Sequence, residues 1–161
     1  MADLRVGVLT SSDTRSAGEA EDTSGAALKE LSEARGWTVV DYRLLPDDRD
    51  AIAAALVEMA DETCCDVVFT TGGTGLGPRD VLPETTLAVS DREVPGIGDV
   101  IRSESLKITD RAMISRGTAG QRGATLIVNM PGSEKAVRES FGFVESVIEH
   151  AVEMMAGGGH G

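Results

Sequence analysis

Apolar residues along the chain alternate between two spacings, and each change of spacing marks a new element. Four short runs rich in β-branched residues predict strands: Leu4 to Leu9, Thr38 to Leu45, Asp66 to Thr70 and Ala124 to Met130. The third, DVVFT, is almost continuously apolar, as expected of a central strand covered on both faces. Between them the apolar positions recur at helical spacing. Ser24 to Arg35 carries Ala27, Leu28 and Leu31, with Gly36 placed to stop the helix. Asp48 to Glu62 presents Ile52, Ala55, Leu56 and Met59 on one face. Pro83 opens a helix expected over Glu84 to Arg92, and another is expected over Gly98 to Lys107. Ser133 to Met155 closes the series with Val137, Phe141, Val144, Val147, Ile148 and Val152 in register.

Strands that alternate with helices predict an α/β fold with a mostly parallel central sheet and helices on both faces. Ligands of such sheets bind beyond the carboxyl ends of the strands. Four segments follow strands and are therefore expected to meet on one edge: Thr10 to Gly25, Pro46 to Asp48, Thr71 to Asp80 and Pro131 to Ser133. With no internal repeat and no linker, one domain is expected over residues 1–156, followed by a flexible GGGHG tail.

Composition narrows the partners. The net charge is −12, which disfavours a sequence-independent nucleic-acid surface and contact with anionic membranes. No apolar run is long enough for a membrane span, and the N-terminus lacks a signal-peptide pattern. Cys64 and Cys65 are adjacent, a spacing that suits neither a disulfide framework nor a zinc site, so reduced thiols and a cytoplasmic location are expected. The two histidines, His150 late in the last helix and His160 in the tail, are poorly placed for general-base work. Chemistry here must do without an imidazole.

The stretch TTGGTGLGPRD puts four glycines into six positions directly after a predicted strand. It is neither a P-loop nor a GxGxxG fingerprint. Two readings stay open: a tight βα connection, or an anion-binding nest of inward N–H groups aided by the hydroxyls of Thr71 and Thr74. Arg79 and Asp80 at its exit suit phosphate oxygens and a metal respectively, or form a surface ion pair with Asp80 as a helix cap. Asp48 reads as an N-cap, which leaves Asp47 free to face the strand-end crevice and to share a magnesium ion with Asp80. Ser11, Ser12 and Asp13, then Asp22 to Gly25, bracket a long polar loop; Ser24 there is an N-cap, an anion ligand, or both. Five basic residues, Arg102, Lys107, Arg111, Arg116 and Arg122, form either a locally positive wall or a solvated surface.

Three motifs in order, TTGGTGLGPRDVLPETT, SESLKITDRAMISRGTAG and TLIVNMPGSEKAV, resemble the MogA/MoaB family of molybdenum-cofactor biosynthesis, which includes the gephyrin G domain. The similarity runs over nearly the whole chain. It implies a three-layer α/β sandwich, usually trimeric or, in one branch, hexameric, that binds molybdopterin. Active members adenylylate molybdopterin with Mg-ATP and release pyrophosphate. The family's functional aspartates fall on Asp47 and Asp80, which would hold Mg2+. Its ligand-binding motifs fall on Thr71, Gly72, Gly73, Thr74 and Gly75, on the segment with Ser105 and Lys107, on Ser115 and Arg116, and on Pro131, Gly132 and Ser133. Ser11, Asp13, Ser24, Gly25 and Asn129 are counted with the same ligand-binding set. Leu82 and Asp110 depart from the family's usual threonine and proline. The alternative implied by the same resemblance is a molybdopterin carrier or scaffold without activity. A downstream metal-insertion protein is a further expected partner.

Overall fold

The computed structural model describes residues 3–158. His160 and most of the GGGHG tail lie outside the described residues. Six strands and six helices follow one another as β1 (Arg5–Ser11), α1 (Asp13–Ser16), α2 (Thr23–Ala34), β2 (Thr38–Leu45), α3 (Arg49–Asp61), β3 (Val67–Thr71), α4 (Leu82–Val89), β4 (Arg92–Glu93), α5 (Pro95–Ser105), a 3-10 turn (Asp110–Ile114), β5 (Ala119–Arg122), β6 (Thr125–Met130) and α6 (Glu134–Met155).

The strands form one sheet in the order β2-β1-β3-β6-β5-β4. The first four are parallel, and β5 runs antiparallel to both of its neighbours. Period-two alternation divides the core. Val67 and Phe69 of β3, with Leu126, Val128 and Met130 of β6, pack against Ala27, Leu28, Ile97, Ile101, Val137 and Phe141 of α2, α5 and α6. Val68 and Ile127 point the other way, onto Ile52, Leu56, Met59 and Leu82 of α3 and α4. The result is the expected three-layer α/β sandwich. On the first face Trp37, Phe69 and Phe141 form an aromatic cluster with centroids 5.5 to 6.4 Å apart.

The helix expected over Glu84 to Arg92 instead starts at Leu82 and stops at Val89. Ser90 is extended and its hydroxyl donates to the Thr86 carbonyl at 2.6 Å, occupying a helical acceptor. Asp91 then donates to Gln121 and Val94 to Ala119, so Arg92 and Glu93 pair with β5. The local sequence of β5, AGQR, has neither alternation nor β-branched residues. Its pairing with β6 makes it a strand. Gly36 at φ +83° follows α2 as predicted, Asp48 caps α3, and both thiols are free in the α3–β3 connection.

The chain leaves β1 for one side of the sheet and returns on the other as β3. This reversal opens a crevice beyond the carboxyl ends of β1 and β3. Thr10 is in register with Thr71, Thr71 with Met130, and Ser11 with Leu45, so four strand ends reach one edge together.

Candidate active site

At that edge the four strand-end segments meet, as their order along the chain requires. Thr71, the last residue of β3, donates its hydroxyl to the Pro131 carbonyl at 2.6 Å and lies 3.0 Å from Ser24 Oγ. Arg15 reaches from α1 to Ser24 Oγ at 2.6 Å and to the Gly132 carbonyl at 3.2 Å, with Asp22 at 3.6 Å as its counter-ion. Asp22 is the N-cap of α2 and accepts from Gly25 N, Thr10 Oγ1 and the Tyr42 hydroxyl. Ser24 is therefore no cap. It is a buried first-turn hydroxyl that joins α2 to the β3 end and to Arg15.

The glycine loop turns back at once. Gly72 and Gly73 have φ of +91° and +67°, and a Cβ on Gly72 would run into the Ser11 carbonyl oxygen. Among the described residues the N–H groups of Gly72, Gly73, Thr74 and Gly75 donate to no protein acceptor, while the Gly73 and Thr74 carbonyls take Leu82 N and Arg116 N. Donors left free on a loop whose carbonyls are tied elsewhere make a nest suited to an anion. Asp80 does not cap α4, whose N-cap is Val81. Its Oδ2 accepts from Gly77 N at 2.9 Å, and a Cβ on Gly77 would lie 2.8 Å from that oxygen. Arg116 holds the loop from outside, donating to the Gly75 carbonyl at 2.8 Å and the Asp80 carbonyl at 2.9 Å, and pairing with Glu84.

Asp47 faces the end of β1. It accepts from the Ser11 hydroxyl at 2.5 Å and from Asp13 N at 3.1 Å, and its own N–H donates to Asp13 Oδ1 at 2.9 Å. Arg79 grips the Asp13 carboxylate through two bonds, at 2.6 and 3.0 Å. The guanidinium beside Asp13 holds that carboxyl below its ordinary range. One chain of contacts thus runs from Asp47 through Asp13 to Arg79, the neighbour of Asp80.

Beside these loops lies a cavity of about 380 Å³ walled by α5, the 3-10 turn, the β6–α6 turn and the first turns of α6. Ser105, Thr109, Ser115 and Ser133 supply hydroxyls, and Arg102, Arg111 and Lys135 supply charge. Arg102 is committed to Asp99 and the Gly117 carbonyl, whereas Arg111 and Lys135 have no carboxylate within ion-pair distance among the described residues. The five basic residues therefore form no single wall. Lys107 pairs with Glu104 at 2.7 Å and is not among the cavity's lining residues. Arg122 binds Asp61 and the Val89 carbonyl beside the start of β6, at the far end of the sheet. Asp110 also stays out of the lining. Asn129 is 3% exposed, with its side chain turned inward to Thr70, Thr86 and Thr118.

Residues 7–150 match the family model described as "Probable molybdopterin binding domain". The chain belongs to the MogA/MoaB family of molybdopterin-binding domains. A molybdopterin adenylyltransferase of Helicobacter pylori is 40% identical over 159 residues, covering 98% of this chain and 90% of that protein. The Escherichia coli molybdopterin adenylyltransferase is 39% identical over 158 residues, covering 94% of this chain and 81% of its own length. Among solved structures, the molybdopterin biosynthesis enzyme MoaB of Thermus thermophilus superposes with a TM-score of 0.90 at 44% identity, over 96% of this chain and 97% of that one.

Within this family fold, sequence reasoning missed Arg15, Lys135 and Glu139. Arg15 had no signal, because its role exists only where three loops meet. Lys135 and Glu139 could have been found from their i, i+4 spacing just after the Pro-Gly-Ser turn, on the side of α6 that starts at the site.

Proposed function

We propose that this chain is a molybdopterin adenylyltransferase, transferring AMP from Mg-ATP to the phosphate of molybdopterin and releasing pyrophosphate. The observation that carries this reading is the juxtaposition at one sheet edge of a nest whose N–H donors are free among the described residues, two carboxylates on adjoining loops, and a cavity with two cations, Arg111 and Lys135, that have no ion-pair partner among those residues. Relatives that bear this name, matched over 94–98% of this chain and 81–90% of their own length, support it.

The nucleophile is a phosphate oxygen of molybdopterin, already ionised at neutral pH. It attacks the α-phosphorus of ATP; the new O–P bond forms as the bond to the β-phosphate oxygen breaks, and pyrophosphate leaves. No proton has to be removed, which is why a site without histidine suffices. In phosphoryl-type transfer, positioning and charge neutralisation supply most of the rate. The Gly72–Gly75 donors hold nucleotide phosphates, and Arg111 and Lys135 draw the molybdopterin phosphate into the cavity. Arg116 keeps the loop closed on Asp80, while Ser11 and Asp13 orient the Asp47 carboxylate.

No cluster of three or more His, Cys, Asp or Glu residues suited to a metal exists among the described residues. Two carboxylates fit magnesium that arrives with ATP, because Mg2+ retains waters and substrate phosphate oxygens and takes only one or two protein carboxylates. Asp47 and Asp80 are the residues that would hold it. When bound, the ion neutralises charge that develops on the leaving pyrophosphate. We place the reaction in the cytoplasm, where a metal-insertion protein would receive the product. The exposed Leu106, Ile108, Met113 and Ile114 support assembly into a homo-oligomer, and light scattering distinguishes trimer from hexamer.

The test is Asp80→Ala, assayed for pyrophosphate release from purified molybdopterin and Mg-ATP. Turnover is expected to fall about a hundredfold or more, with the circular dichroism spectrum and melting temperature retained. Unchanged turnover in a folded variant overturns the assignment of Asp80. Wild-type protein that binds molybdopterin without consuming ATP is a carrier rather than an enzyme.

A further inference from the structure

Glu139 is out of place in the cavity if the cavity serves only a phosphate. It sits on α6, partly buried, among the lining residues. Lys135 lies one helical turn earlier on the same wall, at the spacing that usually yields an ion pair. Yet Glu139 makes no ion pair and accepts no hydrogen bond among the described residues. The neighbouring acidic residues of the helix behave differently: Glu134 is paired with Arg138, and Glu145 and Glu149 with Arg35. A carboxylate facing a phosphate would repel it. Its presence beside Arg111 and Lys135 implies a ligand with an anionic end and, elsewhere, a group that donates hydrogen bonds.

A pterin ring has such a group. One edge of its aminopyrimidinone carries the exocyclic 2-amino group next to the ring N3–H. Two parallel donors match the two oxygens of a carboxylate, in the same planar, two-bond manner as a guanidinium fork. Adenine offers an amino donor beside a ring acceptor, and a carboxylate cannot pair with both. We propose that Glu139 is a specificity-determining residue that reads the aminopyrimidinone edge of the pterin and directs the pterin, not adenine, into the cavity. This assignment rests on the molybdopterin reading given above. A cavity of about 380 Å³ is in the range that accommodates a fused bicyclic ring.

The experiment compares wild type with Glu139→Gln, which retains the side-chain shape but turns one acceptor into a donor that faces a donor. The expected result is a rise in KM for molybdopterin of roughly ten- to hundredfold, the usual worth of a two-bond edge pairing. KM for ATP and the melting temperature stay where they were, as they would not if the residue were needed for the fold. A competition assay adds a second readout. Free pterin should displace molybdopterin from wild type more readily than lumazine, which has a 2-oxo group in place of the 2-amino group, and the variant should lose that preference. An unchanged KM for molybdopterin, or a change in KM for ATP alone, overturns the role of Glu139 while leaving the adenylyltransferase reading intact. Wild-type protein with no affinity for molybdopterin overturns both.

Discussion

Asn129 separates a ligand-binding role from a structural one. Replacing it with alanine removes three hydrogen bonds at once: Oδ1 accepts from Thr118 N at 3.2 Å, and Nδ2 donates to Thr70 Oγ1 at 3.0 Å and Thr86 Oγ1 at 2.9 Å. These ties join β6 to β3, to α4 and to the segment that leads into β5. The two threonine hydroxyls, which lose a donor, can rotate toward other partners, but the Thr118 N–H cannot, since Thr118 is only 6% exposed. A buried donor left unpaired costs about 1–3 kcal/mol, and each lost neutral bond about 1 kcal/mol more. Partial reorganisation of the hydroxyls brings the expected loss to about 2–4 kcal/mol. For a chain of this size each kcal/mol moves the melting temperature by about 2–4 °C, so Asn129→Ala should melt roughly 5–15 °C below wild type. The assay is a thermal melt followed by circular dichroism, with KM for molybdopterin measured well below the transition. The folded fraction should retain a KM close to that of wild type. A melting temperature within about 2 °C of wild type, coupled with a raised KM, would refute this account and return Asn129 to the ligand.

Two other outcomes follow from particular contacts. Arg116→Ala cuts the glycine loop loose from outside and is expected to lower kcat by about tenfold, with a smaller loss for Arg116→Lys, which can restore one of the two carbonyl contacts; equal activity in all three proteins would remove the loop from the mechanism. Native protein should react with one equivalent of thiol reagent at pH 8, at the exposed Cys64, and with two after unfolding, because burial raises the Cys65 thiol to about 11. The same shift fixes a pH dependence. The folded thiol holds its proton beyond the ordinary value of 9.0, so its contribution to stability is complete below pH 9 and is lost between pH 9 and about 11; denaturant midpoints that rise over that interval would contradict it.

The amino-acid sequence determined the sandwich because its main elements have strong local periods. DVVFT can be stable only between two layers, and the apolar faces of α2, α3 and α6 supply those layers without reference to any distant residue. The convergence of Ser11, Asp47, Thr71 and Pro131 followed too, since parallel strands bring all their carboxyl ends to one edge. What tertiary structure alone decided was how each polar side chain is used there. Asp80 closes its own loop instead of capping α4, Asn129 turns into the core, and Lys107 and Arg122 are paired with carboxylates outside the cavity that Arg111 lines. β5 likewise exists only through pairing with β6 and β4. Backbone periodicity is a local property, whereas the direction of a polar side chain depends on which donor or acceptor a distant segment brings within about 3 Å. Glu139 is the clearest case: as letters it is one more acid on an amphipathic helix, and the fold places it in the cavity wall with no ion-pair partner among the described residues.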